Sequence, residues 1–179
     1  MSVPERIYRF DEFQAYIARA ENNDKLFELI DGTIVEAFPG RTRNSELGHR
    51  IAVAVHNFCR QHGIPCHTSG GDGAYRVGEN VVAPDFAYKR TPMSDDYPDP
   101  VPPEWAVEVI SPTDKAFDIR AKRQIYREAG ILLWEIYPQA QSIDVYAPNQ
   151  PARTVRLEDI LDAGDVLPGF ALPVREVFA

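Results

Sequence analysis

The segment that most constrains the fold runs from Ser45 to Gln61. Leu47, Ile51, Ala54, Val55 and Phe58 recur there at spacings of three and four, which puts them on one face of a helix. Gly63 follows where a left-handed cap is wanted. A helix with one apolar face must lie on another layer, and the next segments read as strands: one or two between Pro65 and Val77, then Val82 to Lys89, then Trp105 to Ile110. Asp114 to Ala129 reads as a second helix ending at Gly130, and Ile131 to Tyr137 and Ser142 to Tyr146 as two more strands. Upstream, Asp11 to Ala20 reads as a short helix carrying Phe13 and Ile17, with Asp11 capping against Gln14. Lys25 to Ile30 and Thr33 to Ala37 flank Asp31-Gly32, a strong hairpin signal. Pro39 to Asn44 reads as a basic loop, and Thr91 to Pro103 as a loop with five prolines. Strands clustered between two helices predict an α/β (α+β) fold, a mixed sheet flanked by helices. A length of 179 residues fits a single domain over 1–179.

Composition removes several classes. Hydrophobic residues at 44% and charged residues at 26% describe a globular chain rather than a disordered one. The longest unbroken apolar run, Ile51 to Val55, is far short of the roughly 20 residues of a membrane span. Glu5, Arg6 and Arg9 sit where a signal peptide would place its apolar stretch, so the expected location is the cytoplasm, away from membranes. Cys59 and Cys66 make no disulfide framework, and His49, His56, His62 and His67 match no zinc spacing. Neither a GxSxG elbow nor a GxxxxGK[ST] loop is present, and Ser69 to Gly73 reads as a turn between strands. The net charge of −8 argues against a general nucleic-acid coat protein. That average hides a net +4 between Lys115 and Arg127, preceded from Thr91 to Asp114 by six acids and no base.

Three carboxylates stand inside apolar strands. Glu108 lies in Trp105-Ala106-Val107-Glu108-Val109-Ile110, where period two sets Trp105, Val107 and Val109 against Ala106, Glu108 and Ile110. An ionised glutamate there is costly unless a metal, cation or proton meets it. Asp85 follows Pro84 within the expected Val82 to Lys89 strand, where propensity disfavours it. Glu28 lies in Leu26-Phe27-Glu28-Leu29-Ile30, a position that fits a solvent-facing hairpin edge equally well. Asp118, Lys122 and Tyr126 fall at i, i+4 and i+8 on one helical face, which alone describes an intrahelical ion pair beside an aromatic ring. Together, strand-borne acids and a lysine describe a metal-dependent phosphodiester hydrolase.

These residues resemble the Uma-two family of restriction-type endonucleases, within the PD-(D/E)XK nuclease superfamily. The resemblance rests on Phe27-Glu28-Leu29-Ile30-Asp31-Gly32, His49, Pro84-Asp85, Val107-Glu108-Val109-Ile110-Ser111-Pro112, Asp118-x-x-x-Lys122-x-x-x-Tyr126, Leu133-Trp134 and Leu167-Pro168-Gly169-Phe170. It spans about Tyr8 to Phe178. It implies a restriction-endonuclease-like αβββαβ core with an added N-terminal hairpin. Asp85 and Glu108 would be the paired acids, and Glu28 an additional one. The usual lysine position holds Ile110, so Lys122 would supply that amine, with Lys89 as a second candidate.

The resulting expectation is a magnesium-dependent endonuclease acting on DNA, with manganese as the substitute ion. Asp85, Glu108, Glu28 and the carbonyl of Val109 would hold metal, and Lys122 would sit by the nucleophilic water. Arg120, Arg123, Arg127, Arg41 and Arg43 would contact phosphates. His49, Asp118 and Tyr126 would support the site. Cutting both strands of a duplex favours a homodimer. The competing expectation is a catalytically inactive nucleic-acid-binding or dimerisation module on the same fold.

Overall fold

The computed structural model describes residues 6–38 and 40–179. The N-terminal part contains α1 (Phe10–Ile17), β1 (Leu26–Ile30), β2 (Thr33–Ala37) and the long helix α2 (Thr42–His62). The strands β3 (His67–Gly70), β4 (Tyr75–Val77), β5 (Asn80–Val82), β6 (Phe86–Lys89) and β7 (Trp105–Val109) follow. Next come α3 (Ala116–Glu128), β8 (Leu132–Tyr137) and β9 (Ser142–Tyr146). The chain closes with β10 (Arg153–Arg156), β11 (Ile160–Ala163), β12 (Leu167–Pro173) and α4 (Val174–Phe178).

A six-stranded mixed sheet in the order β10-β9-β8-β7-β6-β3 forms the centre. Its one parallel pairing is β7 with β8, and α3 makes the crossover between them. The run α2-β3-β6-β7-α3-β8 is therefore the αβββαβ core. The hairpin β1-β2 joins β5 and β4 in a second sheet ordered β2-β1-β5-β4. Its turn places Asp31 at φ 48° and Gly32 at φ 78°, the two left-handed residues that a tight hairpin of this hand requires.

Period two along β7 sorts the two faces as expected. Trp105, Val107 and Val109 pack with Leu47, Ile51 and Val55 of α2, all buried. Ala106 turns the other way and packs with Ile125 and Tyr126 of α3, Leu133 of β8 and Ile30 of the hairpin. Burying a side chain of the size of Leu47 or Ile51 contributes about 1.5–3 kcal/mol, so α2 is fixed on its face of the sheet.

Several details differ from the sequence reading. The first helix begins one residue earlier, and its cap is Arg9, whose N–H donates to Glu12 Oε2 at 3.0 Å, rather than Asp11. Half of the expected Pro39 to Asn44 loop is helical, since α2 already starts at Thr42, and Pro39 lies outside the described residues. The tail carries three strands, β10, β11 and β12, beyond the last strand read from the sequence. The most consequential difference is at Val82 to Lys89, which is two strands rather than one. β5 pairs with β1 and β4, while β6 pairs with β3 and β7. The break is Ala83-Pro84-Asp85, where proline removes the backbone donor a continuous ladder would need.

Candidate active site

The break between the two sheets brings the acids together. Asp85 sits just before β6 rather than within a strand. The β6–β7 pairing ends at Phe86 opposite Val107, and beyond it the Asp85 carboxylate takes over: the Val109 N–H donates to Oδ2 at 2.7 Å. On the other side of the break, the Ala83 N–H donates to Glu28 Oε1 at 2.7 Å. Glu28 is buried, because β1 lies between β2 and β5 rather than at an edge. Gly48 of α2 lies against this corner: a Cβ there would stand 3.0 Å from the Asp85 carbonyl oxygen.

Helix α3 delivers the cation. Lys122 Nζ lies 2.9 Å from Glu28 Oε1 and 3.1 Å from Glu108 Oε1, with side-chain exposures of 16%, 10% and 12% for the three residues. One turn on, the Tyr126 hydroxyl donates to Glu108 Oε1 at 2.7 Å. Among the described residues Asp118 and Lys122 form no intrahelical ion pair; Lys122 turns to the strand acids, and Asp118 lines the adjoining cavity. That cavity, of about 1320 Å³, opens between the hairpin, α2, the Ser69–Asp72 turn and α3.

The electrostatics are strained. Burial raises the proton affinity of Asp85 against the pull of the Val109 N–H and Lys122, and Asp114 and Glu28 raise it further by repulsion. Burial likewise pushes Glu108 up, with Asp85 and Glu28 adding to it and Lys122 opposing. Burial alone would discharge Lys122, but the charges and hydrogen bonds of Glu108 and Glu28 outweigh it and hold the ammonium protonated. Burial and the neighbouring Glu108 charge keep the Tyr126 hydroxyl firmly protonated, hence a donor.

The family model described as "Putative restriction endonuclease", Uma2, matches residues 10–175. The chain belongs to the Uma2 family. A crystal structure described as a putative nuclease belonging to DUF820, from Anabaena variabilis ATCC 29413, superposes with a TM-score of 0.79 at 17% identity. The match covers 95% of this chain and 97% of that one, and at this identity it shows the shared fold. No curated protein matches.

In this Uma2 chain the four residues Glu28, Asp85, Glu108 and Lys122 form one cluster. Ile110 stands two residues after Glu108 and lines the cavity, while the amine arrives from the helix. Lys89 lies at the opposite end of β6, fully buried, with Nζ 2.7 Å from Asp99 Oδ2, so it has no part in the cluster. His49 lines the cavity from α2, and Arg41 from the residue just before that helix. Arg43 is engaged by Glu46 and the Phe178 carbonyl. Arg120, Arg123 and Arg127 lie together on another face of α3, around a second cavity.

Sequence reasoning missed Glu135. It is 1% exposed, lines the main cavity, and stands in register with Glu108 on the neighbouring parallel strand. The signal that singled out Glu108, an acid inside an apolar strand, was present in Leu132-Leu133-Trp134-Glu135-Ile136-Tyr137. Arg123 holds Glu135 through Nε at 2.9 Å and a terminal nitrogen at 2.6 Å.

The donor set suits a hard divalent cation in kind. Three carboxylates against one ammonium leave two negative charges when all are ionised. Among the described residues no three acidic, His or Cys side chains converge into a ready cage. The geometry gives the reason: Lys122 Nζ bridges Glu28 and Glu108, and the Val109 N–H occupies one oxygen of Asp85.

Proposed function

We propose that this Uma2 chain is a divalent-metal-dependent endonuclease that hydrolyses phosphodiester bonds of DNA. The observation that carries the reading is the placement of Lys122 from α3 between Glu28 and Glu108, beside Asp85, at the wall of an open cavity. The fold match and the family description support the same activity.

Asp85, Glu108, the Val109 carbonyl and Glu28 would hold magnesium or manganese. Such an ion, when bound, activates a water and offsets charge on the phosphate. The chain's own groups prepare the rest. The Val109 N–H fixes the orientation of the Asp85 carboxylate, and the Tyr126 hydroxyl fixes that of Glu108. Lys122, held protonated by the two glutamates, donates to the attacking water and offsets charge developing at phosphorus. Attack of that water at phosphorus breaks the P–O3′ bond; the water gives a proton to solvent and the leaving 3′ oxygen takes one from it, which yields a 5′-phosphate and a 3′-hydroxyl. Cleavage of both strands would call for two copies of the site, hence a homodimer. Among the described residues no helix is long and apolar enough to cross a membrane.

Nicking of supercoiled plasmid tests the reading. The wild type is expected to nick with magnesium or manganese and to stop with EDTA, while Asp85→Asn and Glu108→Gln remain inactive. Nicking that survives both substitutions contradicts it. A wild type that binds DNA and never cleaves it with either metal favours the inactive module instead.

A further inference from the structure

Helix α3 has a second working face. Lys122 and Asp118 point to the main cavity, whereas Arg120, Arg123 and Arg127 border a separate one of about 740 Å³, with Gln124, Tyr146, Asn149 and Gln150 among its walls. The three arginines do different things. Arg123 is engaged in structure: its bidentate pair with the buried Glu135 ties α3 to β8, which sets it apart from Arg120 and Arg127. Arg120 and Arg127 are exposed, and neither makes an ion pair among the described residues. The Arg127 guanidinium lies 5.9 Å from the centre of the Tyr146 ring and that of Arg123 4.9 Å, so one aromatic ring supports both.

The wall chemistry is donor-rich. Among the described residues neither guanidinium has a carboxylate partner, and Arg120 gives only its Nε, to the Ala116 carbonyl at 3.2 Å; with Asn149 and Gln150 they line a concavity whose one acid, Glu128, accepts from the Gln124 amide at 2.7 Å. The main cavity has the opposite character, with Glu28, Asp85, Glu108, Asp114 and Asp118 among its walls. An acidic cleft repels a polyanion unless metal is present, so a nucleic acid must be held from elsewhere. Guanidinium forks and amide donors fit phosphate oxygens.

We propose that Arg120 and Arg127, the latter beside Tyr146, form a phosphate-binding shelf that grips the nucleic-acid backbone outside the acidic cleft. The shelf makes α3 a two-sided element: one face carries the catalytic lysine and the other anchors the strand, with Arg123–Glu135 as the strut between them. The proposal rests on the nuclease reading for its ligand but not for its test.

The test compares wild type with Arg120→Gln/Arg127→Gln by fluorescence anisotropy. The probes are a labelled DNA duplex without metal across a salt series, and inorganic pyrophosphate as competitor. Losing two phosphate contacts should lower the slope of log affinity against log salt by about 2 and weaken binding at every sequence. The magnesium-induced rise in melting temperature should persist, which shows the cleft is intact. Competition by pyrophosphate in the wild type that vanishes in the variant supports the shelf. Binding with an unchanged salt slope overturns it, as does a wild type that binds neither duplex nor pyrophosphate. Arginine-dependent binding without cleavage would keep the shelf and sink the nuclease reading. Cleavage with an unchanged slope would do the reverse.

Discussion

Removing the ammonium at the centre of the cluster should be the most destabilising single change in the site. Lys122→Met keeps the length and apolar stem of the side chain and deletes the charge. Glu28 and Glu108 then face each other, 10% and 12% exposed, and among the described residues the Ala83 N–H and the Tyr126 hydroxyl are the donors that remain. Breaking a buried pair by removing one partner costs about 3–5 kcal/mol, because the remaining charge is left in a poor solvent. For a chain of this size each kcal/mol lowers Tm by about 2–4 °C, so a fall of about 6–20 °C is expected in a thermal melt. Two companions separate charge from packing. Adding Glu108→Gln to Lys122→Met should recover part of the loss, since it removes the charge left stranded. Magnesium should raise the Tm of Lys122→Met at least as much as that of wild type, because an external cation then meets the same acids; saturation at a hundredfold over Kd is worth about 2.7 kcal/mol. A loss under about 1 kcal/mol, the size of a surface ion pair, would refute the argument that this lysine is held in a desolvated pair.

Other consequences can be checked together. Tyr126→Phe removes a buried hydroxyl hydrogen bond to Glu108 and should cost about 0.5–1.5 kcal/mol in urea unfolding while lowering cleavage. Gly48→Val should displace the Asp85 backbone, since even a Cβ stands 3.0 Å from its carbonyl oxygen, and cleavage should fall more steeply than stability. The pair Lys89–Asp99 is remote from the site and fully desolvated, so Lys89→Met should cost about 3–5 kcal/mol with magnesium binding unchanged. Its pH dependence has a definite sign. Burial would raise the Asp99 carboxyl, but Lys89 and two backbone donors outweigh it and hold it below its ordinary 3.8. Asp99 therefore contributes stability above that value and loses it as pH falls through its lower folded value. Acid titration of the melting temperature should show a shallower acid limb in Lys89→Met than in wild type.

Much of the frame was legible because it is written in periodicity. The apolar face of α2 and the alternation of β7 are local patterns: Leu47, Ile51, Val55, Trp105, Val107 and Val109 are buried as read, Ala54 and Phe58 are half-buried against them, and Cys59 joins the buried set. Glu108 was legible for the same reason, as an acid that breaks an apolar alternation. The break at Ala83-Pro84-Asp85 was harder to see. A run of apolar residues around one proline reads as a strand, and only the competition between two sheets for its ends divides it. Whether Glu28 faced solvent or the interior depended on β5 pairing with β1, a contact between segments about fifty residues apart that no local pattern reports. Lys122 and Asp118 looked like mutual partners, because spacing on a helix says nothing about the sheet beneath it. The different fates of Arg123 and its neighbours turned on Glu135, which lies on another strand.

The central claim is that Asp85 and Glu108 belong to a metal-dependent cleavage site. A magnesium titration of wild type and Asp85→Asn/Glu108→Gln, followed by melting temperature and by plasmid nicking in the same samples, tests it most directly. The account predicts that magnesium raises the wild-type Tm and switches on nicking, while the double variant, relieved of its repelling acids, starts at a higher Tm and responds to neither. Equal magnesium responses in the two proteins would contradict it.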